Sequence, residues 1–145
     1  ESKTYFGMLL LGAACLLPWK TFMTAVDYMQ GEYPGFNFEF WLALIYNGPL
    51  VTGLIVMSFY GEAVPLRLRV TSALWSMIAC VSSVFVLDYG LRTGAITHPQ
   101  GFVLTLTAIG LSGLATAVLQ GSLYGMAGAL GETSTQALQA GKGWA

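Results

Sequence analysis

Four long apolar runs divide the chain, and short segments with charges and helix breakers separate them. The apolar runs cover approximately residues 5–28, 40–60, 70–87 and 102–130. About 20 apolar residues are needed to cross roughly 30 Å of hydrocarbon, so each run is a candidate transmembrane span. The pattern predicts an all-α fold, a polytopic transmembrane helix bundle that forms a single domain over residues 1–145.

The separating segments contain the residues that end helices. They are QGEYPGFNFE at 30–39, GEAVPLRLR at 61–69 and DYGLRTGAITHPQG at 88–101, and each combines Gly or Pro with charged side chains. After Gly131 the tail reads ETSTQALQAGKGWA. We expect a loop and the start of a further helix over residues 131–145.

Composition agrees with a membrane location. Hydrophobic residues make up 55% of the chain and charged residues 9%, whereas about a quarter of a soluble domain is charged. The net charge is −1 and no basic run occurs, so nucleic-acid binding has no support. We therefore expect an integral membrane protein of the plasma membrane or an organelle, with the lipid bilayer as a partner and with no cofactor or metal.

The placement of basic residues predicts the orientation, because cytoplasmic loops are enriched in Lys and Arg. One side of the predicted bundle has four such residues, and the other side has a single one beside three acidic residues. The first group is Lys3, Arg67, Arg69 and Lys142, and the second is Arg92 with Glu32, Glu39 and Asp88. The amino terminus is therefore predicted to be cytoplasmic.

The fourth span has two parallel stripes with a period of four residues. One stripe is small (Gly113, Ala117, Gly121, Gly125) and the other is polar (Ser112, Thr116, Gln120, Tyr124). Small residues allow close helix packing, and uncharged polar groups in a membrane face the bundle interior or water. The polar stripe indicates either interhelical hydrogen bonding or a ligand site in which the amide of Gln120 both donates and accepts.

The first span contains a proline, a lysine and an aspartate in an otherwise apolar run. Pro18 leaves the carbonyl of Ala14 without its usual donor, which predicts a kink or local opening between them. Lys20, Thr24 and Asp27 share one face of the helix. A charged lysine at this depth must reach the interface, find a partner or face water, and these alternatives stay open.

Trp19 and Met23 are four residues apart on the same span. Their spacing places them on one side of the helix, where they offer a flat apolar surface on which a planar ring could stack. Ordinary packing between helices is the alternative interpretation.

Several motifs resemble those of the equilibrative nucleoside transporter family. LLPWKTFMTAVDYM is similar to the first-span signature of that family, LLPWNxFxTA, and AVLQGSLYGMAGAL resembles its fourth-span motif. VPLRLRV resembles the basic turn between spans two and three, and QAGKGWA is similar to the start of span five. The motifs occur in the family's order and cover nearly the whole chain.

This resemblance implies part of a major-facilitator-like amino-terminal bundle that moves nucleosides or nucleobases by alternating access. It also implies that Trp19 and Met23 line the cavity and that Gln120 contacts the base. The family usually has Asn at the position of Lys20, so a cation replaces a neutral group beside the expected site. Further substrate contacts of the family lie in a second bundle.

A second hypothesis is a transporter-derived structural subunit of a larger membrane complex, such as a respiratory or photosynthetic assembly. In that case the partners are other membrane subunits rather than a solute. An enzyme is not expected, because the spans contain no nucleophile with a base, no carboxylate pair and no metal cluster.

Overall fold

The computed structural model describes residues 2–32, 34–35 and 37–144, and nearly all of these residues are helical. The helices are α1 (Ser2–Thr24), α2 (Val26–Glu32), α3 (Phe38–Tyr60), α4 (Leu66–Arg92), α5 (His98–Leu130) and α6 (Glu132–Trp144), with a 3-10 turn at Gly61–Ala63. These residues contain no strand, which confirms the all-α expectation. Glu1 and Ala145, the predicted ends of the domain, lie outside the described residues.

Four of these helices are long and apolar enough to cross a membrane, namely α1, α3 with the 3-10 turn, α4 and α5. This finding confirms a polytopic bundle in an integral membrane protein. The helices extend beyond the apolar runs of the sequence. Arg67 lies in the first turn of α4 and Arg92 in its last turn, because arginine is a good helix former and the ends of a spanning helix reach water.

The first apolar run forms two helices, and the interruption lies at Ala25. The chain stays helical across Ala14 and Pro18, where we expected a kink or an opening. Pro18 is buried, and neighbouring helices commonly compensate for proline in membrane helices. Backbone hydrogen bonds continue across the interruption, from the Ala25 N–H to Thr21 and from the Met29 N–H to Ala25.

Helix α5 is the centre of the bundle. It packs along α3 on one face and along α4 on another, whereas α6 packs mainly on α1. Only Gly131 separates α5 from α6. Gly131 can adopt a φ of +114° because glycine has no Cβ. Its N–H caps α5 by donating to the carbonyl of Ala127 at 3.0 Å.

Candidate functional site

The small-residue stripe of α5 brings α3 into backbone contact. A Cβ built at Gly113 would lie 2.5 Å from the carbonyl oxygen of Tyr46, and one built at Gly121 would lie 3.3 Å from the Cβ of Met57. On α3, a Cβ at Gly53 would lie 2.6 Å from that of Ala117. Three of the four stripe residues therefore face α3. Gly125 has no atom within 4 Å of such a Cβ and lies outside the contact.

The polar stripe runs from the buried centre of the bundle to its surface. Ser112 and Thr116 are fully buried, Gln120 is half-buried and Tyr124 is exposed. The Thr116 hydroxyl donates to the Ser112 carbonyl at 2.8 Å and lies 3.0 Å from Tyr46 Oη. Since a hydroxyl has one proton, Tyr46 is the donor to Thr116.

The aromatic ring of Trp19 brings the first span to the same place. Its centroid is 4.9 Å from that of Tyr46, with an angle of 40° between the ring planes. Tyr46 of α3 thus contacts both Trp19 of α1 and Thr116 of α5. We call these three residues, together with Gln120 one turn farther along α5, the three-helix cluster.

The other candidates of the first span follow Trp19 on α1. Met23 is exposed one turn beyond Trp19, and Lys20 is exposed beside it. Thr24 donates its hydroxyl to the Lys20 carbonyl at 2.8 Å, so its polar group is satisfied within its own helix. Among the described residues, no carboxylate pairs with Lys20, and Asp27 lies beyond the interruption in α2.

Lys142 lies in a place that its position in the sequence did not indicate. The sequence pattern groups it with the basic residues that flank the spans, whereas the structure has it half-buried on α6 and in contact with α5. Its ammonium donates to Tyr124 Oη at 3.0 Å and lies 4.5 Å from the centroid of that ring. This interaction extends the polar stripe of α5 to a cation on another helix.

The packing of α6 on α1 shows on which side of α1 Lys20 and Met23 lie. A Cβ at Gly12 would meet the Leu138 carbonyl, and one at Gly141 would meet the Leu9 carbonyl. Lys20 follows Leu9 by eleven residues, as Met23 follows Gly12. Eleven residues are about three helical turns, so Lys20 and Met23 are on the side of α1 that α6 covers farther down.

A second polar cluster, which the sequence analysis did not identify, joins α2 to the end of α4. Tyr28 Oη donates to Asp88 Oδ1 at 2.5 Å and accepts from Arg92 Nη2 at 2.9 Å. Arg92 Nε also lies 3.2 Å from Asp88 Oδ2. The cluster closes one end of a mainly apolar cavity of about 240 Å³ between the first span and α4.

Known transporters are similar to this chain over nearly its whole length. An equilibrative nucleotide transporter 1 of Arabidopsis thaliana is 36% identical over 90% of this chain and 29% of its own length. Human equilibrative nucleoside transporter 4 is 29% identical over 95% of the chain and 26% of its own length. For rat equilibrative nucleoside transporter 2 the identity is 28%, over 94% of the chain and 33% of the relative.

These similarities confirm the resemblance to the equilibrative transporters that the motifs indicated. The chain spans about a third or less of the curated relatives that it matches. No family model matches the sequence, and no solved structure matches the fold.

Proposed function

We propose that this chain, with its similarity to equilibrative transporters, provides one wall of a transport path for nucleosides or nucleobases. The solutes move down their gradient by alternating access, and the chain is part of a major-facilitator-like amino-terminal bundle. The similar proteins from human and rat are named as nucleoside transporters, and the one from Arabidopsis as a nucleotide transporter. Secondary transporters bind substrate between two repeats, and the three-helix cluster would be part of the contribution of one of them.

The observation that carries this proposal is that Tyr46 contacts both Trp19 and Thr116. Gln120 lies one turn beyond Thr116 on α5. The half-buried Trp19 offers an aromatic face on which a planar base can stack. No side-chain partner of Gln120 occurs among the described residues. Its amide can both donate to and accept from the edge of a base. The hydrogen bond between Tyr46 and Thr116 links α3 to α5 one turn from this amide.

The comparisons support a transporter over the alternative of a structural subunit, because the similar proteins are named as transporters. They also support transport rather than an enzymatic reaction. The arrangement of α5 agrees with this preference. A polar stripe that served only to join helices would be paired throughout, whereas Gln120 has no side-chain partner in the part of the chain that the structure describes.

Uptake by proteoliposomes of the complete protein tests the proposal. With labelled uridine or adenosine, Gln120→Ala is expected to lower uptake about tenfold, because a hydrogen-bonding contact to the base is lost. Gln136→Ala is the matched control, since Gln136 is an exposed glutamine on α6, and it should behave as the unchanged protein. Equal uptake by Gln120→Ala would refute the site. No uptake by the unchanged protein would refute transport and favour the structural subunit.

A further inference from the structure

A groove runs along the outside of the bundle between α4 and α5. It consists of two adjoining cavities, of about 370 and 450 Å³, that share Ala79, Cys80 and Leu111. On α4 the groove extends from Ser72 to Leu87, which is about 22 Å of helix. One leaflet of a bilayer contains about 15 Å of hydrocarbon, so a lipid chain can lie along this groove.

The groove is apolar although hydroxyl groups border it. Ser72, Ser83 and Thr107 each donate to a carbonyl three or four residues earlier in the same helix, at 3.1, 2.7 and 2.9 Å. Because these hydroxyls are satisfied within their own helices, the groove presents mainly hydrocarbon to its surroundings. Its open side is at the surface of helices that span a membrane. A lipid chain suits this surface better than a polar solute does.

Arg69 lies across one end of the groove. It precedes the first serine of the groove by three residues, which places both on one side of α4. Its Nη1 would lie 3.0 Å from a Cβ built at Gly61, and the Met57 side chain would lie 3.3 Å from the same atom. Met57 in turn lies against Gly121, about one turn beyond the α5 residues of the groove. The guanidinium therefore reaches from α4 to the end of α3.

The charge of Arg69 has no counter-charge in the part of the chain that the structure describes. The ion pair found there joins Arg92 to Asp88, near the other end of α4. Arg69 Nε is buried and has no hydrogen-bond partner. A guanidinium that is partly withdrawn from water carries a desolvation cost, and an anion beside it lowers that cost. Phosphate suits a guanidinium in both charge and geometry.

We propose that the groove binds an acyl chain of an anionic phospholipid and that Arg69 binds the phosphate of its headgroup. Arg69 belongs to the basic residues that predict the cytoplasmic side of the bundle, and anionic lipids are concentrated in the cytoplasmic leaflet. A zwitterionic headgroup contains its own cation, which would compete with Arg69 for the phosphate. The site is separate from the three-helix cluster and does not depend on the proposed transport function.

Native mass spectrometry of the complete protein tests the site. The protein is mixed in detergent with phosphatidylglycerol or with phosphatidylcholine of the same acyl chains. We expect phosphatidylglycerol to bind about tenfold more tightly, because its net charge is negative. Arg69→Gln removes the charge and should abolish this preference. Arg67→Gln is the matched control, since Arg67 is an exposed arginine on another side of the same turn, and it should retain the preference.

Ala79→Leu tests the apolar part of the site. Ala79 is exposed on α4 and borders both cavities, so a larger side chain should fill the groove and weaken the binding of both lipids. Ala43→Leu is the control, because it makes the same change at an exposed alanine of α3. It should leave lipid binding as in the unchanged protein.

Equal binding of the two lipids by the unchanged protein would overturn the proposal, and this comparison requires no variant to fold. Absence of bound lipid would also overturn it, as is expected if another helix or a second copy of the chain covers the groove. A preference that persists in Arg69→Gln would refute the role of Arg69. Equal binding by Ala79→Leu and Ala43→Leu would refute the groove as the place of the acyl chain.

Discussion

The hydroxyl of Tyr46 on α3 lies 3.0 Å from Thr116 Oγ1 on α5, and both side chains are buried. This contact occurs where a glycine of α5, Gly113, allows the backbone of α3 to approach. The polar and the small stripe of α5 therefore meet the same helix at the same level. Close packing brings the two hydroxyls together, and their hydrogen bond then orients the ring on which Trp19 lies.

Tyr46→Phe is expected to lower the free energy of unfolding by about 1 kcal/mol, which is the order found for hydrogen bonds between membrane helices. The loss is small because Thr116 retains the Ser112 carbonyl as an acceptor. Thr116→Val should cost more, since it leaves the buried Tyr46 hydroxyl without a partner. Unfolding in mixed micelles measures the free energy that each variant loses. The double variant should lose less than the sum of the two single losses. Tyr60→Phe, at an exposed tyrosine, is the control.

Gly113→Ala is expected to separate α3 from α5 and to destabilise the bundle by about 1–3 kcal/mol, as overpacked sites do. The added methyl would meet a backbone oxygen of Tyr46, which cannot move aside as a side chain can. Gly125→Ala has the same chemistry on the same helix with open space around it, so it should be neutral or slightly stabilising. Thermal unfolding in detergent compares the pair, and equal effects would contradict the packing role of Gly113.

Gly141→Ala should loosen α6 from α1, because the new methyl would meet the carbonyl of Leu9. Hydrogen exchange measured by mass spectrometry should increase in peptides of α6 and remain low in the centre of α5. Gly143→Ala is the matched control, since no atom lies near a Cβ at that position. Faster exchange throughout the bundle for Gly141→Ala would indicate global unfolding and contradict a local role.

Tyr28→Phe removes the hydroxyl that links α2 to Asp88 and Arg92 while it retains the ring. We expect the free energy of unfolding to fall by about 1 kcal/mol or less, because these groups are partly exposed and exposed polar contacts contribute little. Backbone amide hydrogen exchange in α2 should nevertheless become faster, since the Tyr28 hydroxyl hydrogen-bonds α2 directly to α4. Tyr89→Phe, at an exposed tyrosine of α4, is the control and should not change hydrogen exchange in α2. The same change in both variants would contradict a role of the Tyr28 hydroxyl in joining α2 to α4.

The architecture was largely predictable from the sequence because each span is a local property. An apolar run of sufficient length has few alternatives to a membrane helix, since its backbone must be hydrogen-bonded internally. The two stripes of α5 were also predictable from the sequence. A period of four residues places side chains on one side of a helix, whichever neighbours the helix packs against. The interruption at Ala25 was not predictable, since Pro18 was the visible helix breaker and the surrounding helices tolerate it.

What the sequence by itself determined is therefore the set of spanning helices and the side of α5 that is polar. Only the tertiary structure decided that Tyr46 is the partner of Thr116, 70 residues away, and that Lys142 reaches Tyr124, 18 residues away. Neither pair follows a helical period within one segment. Such contacts depend on how far each helix is rotated and shifted against its neighbour, and the close approach of backbones at glycines sets both.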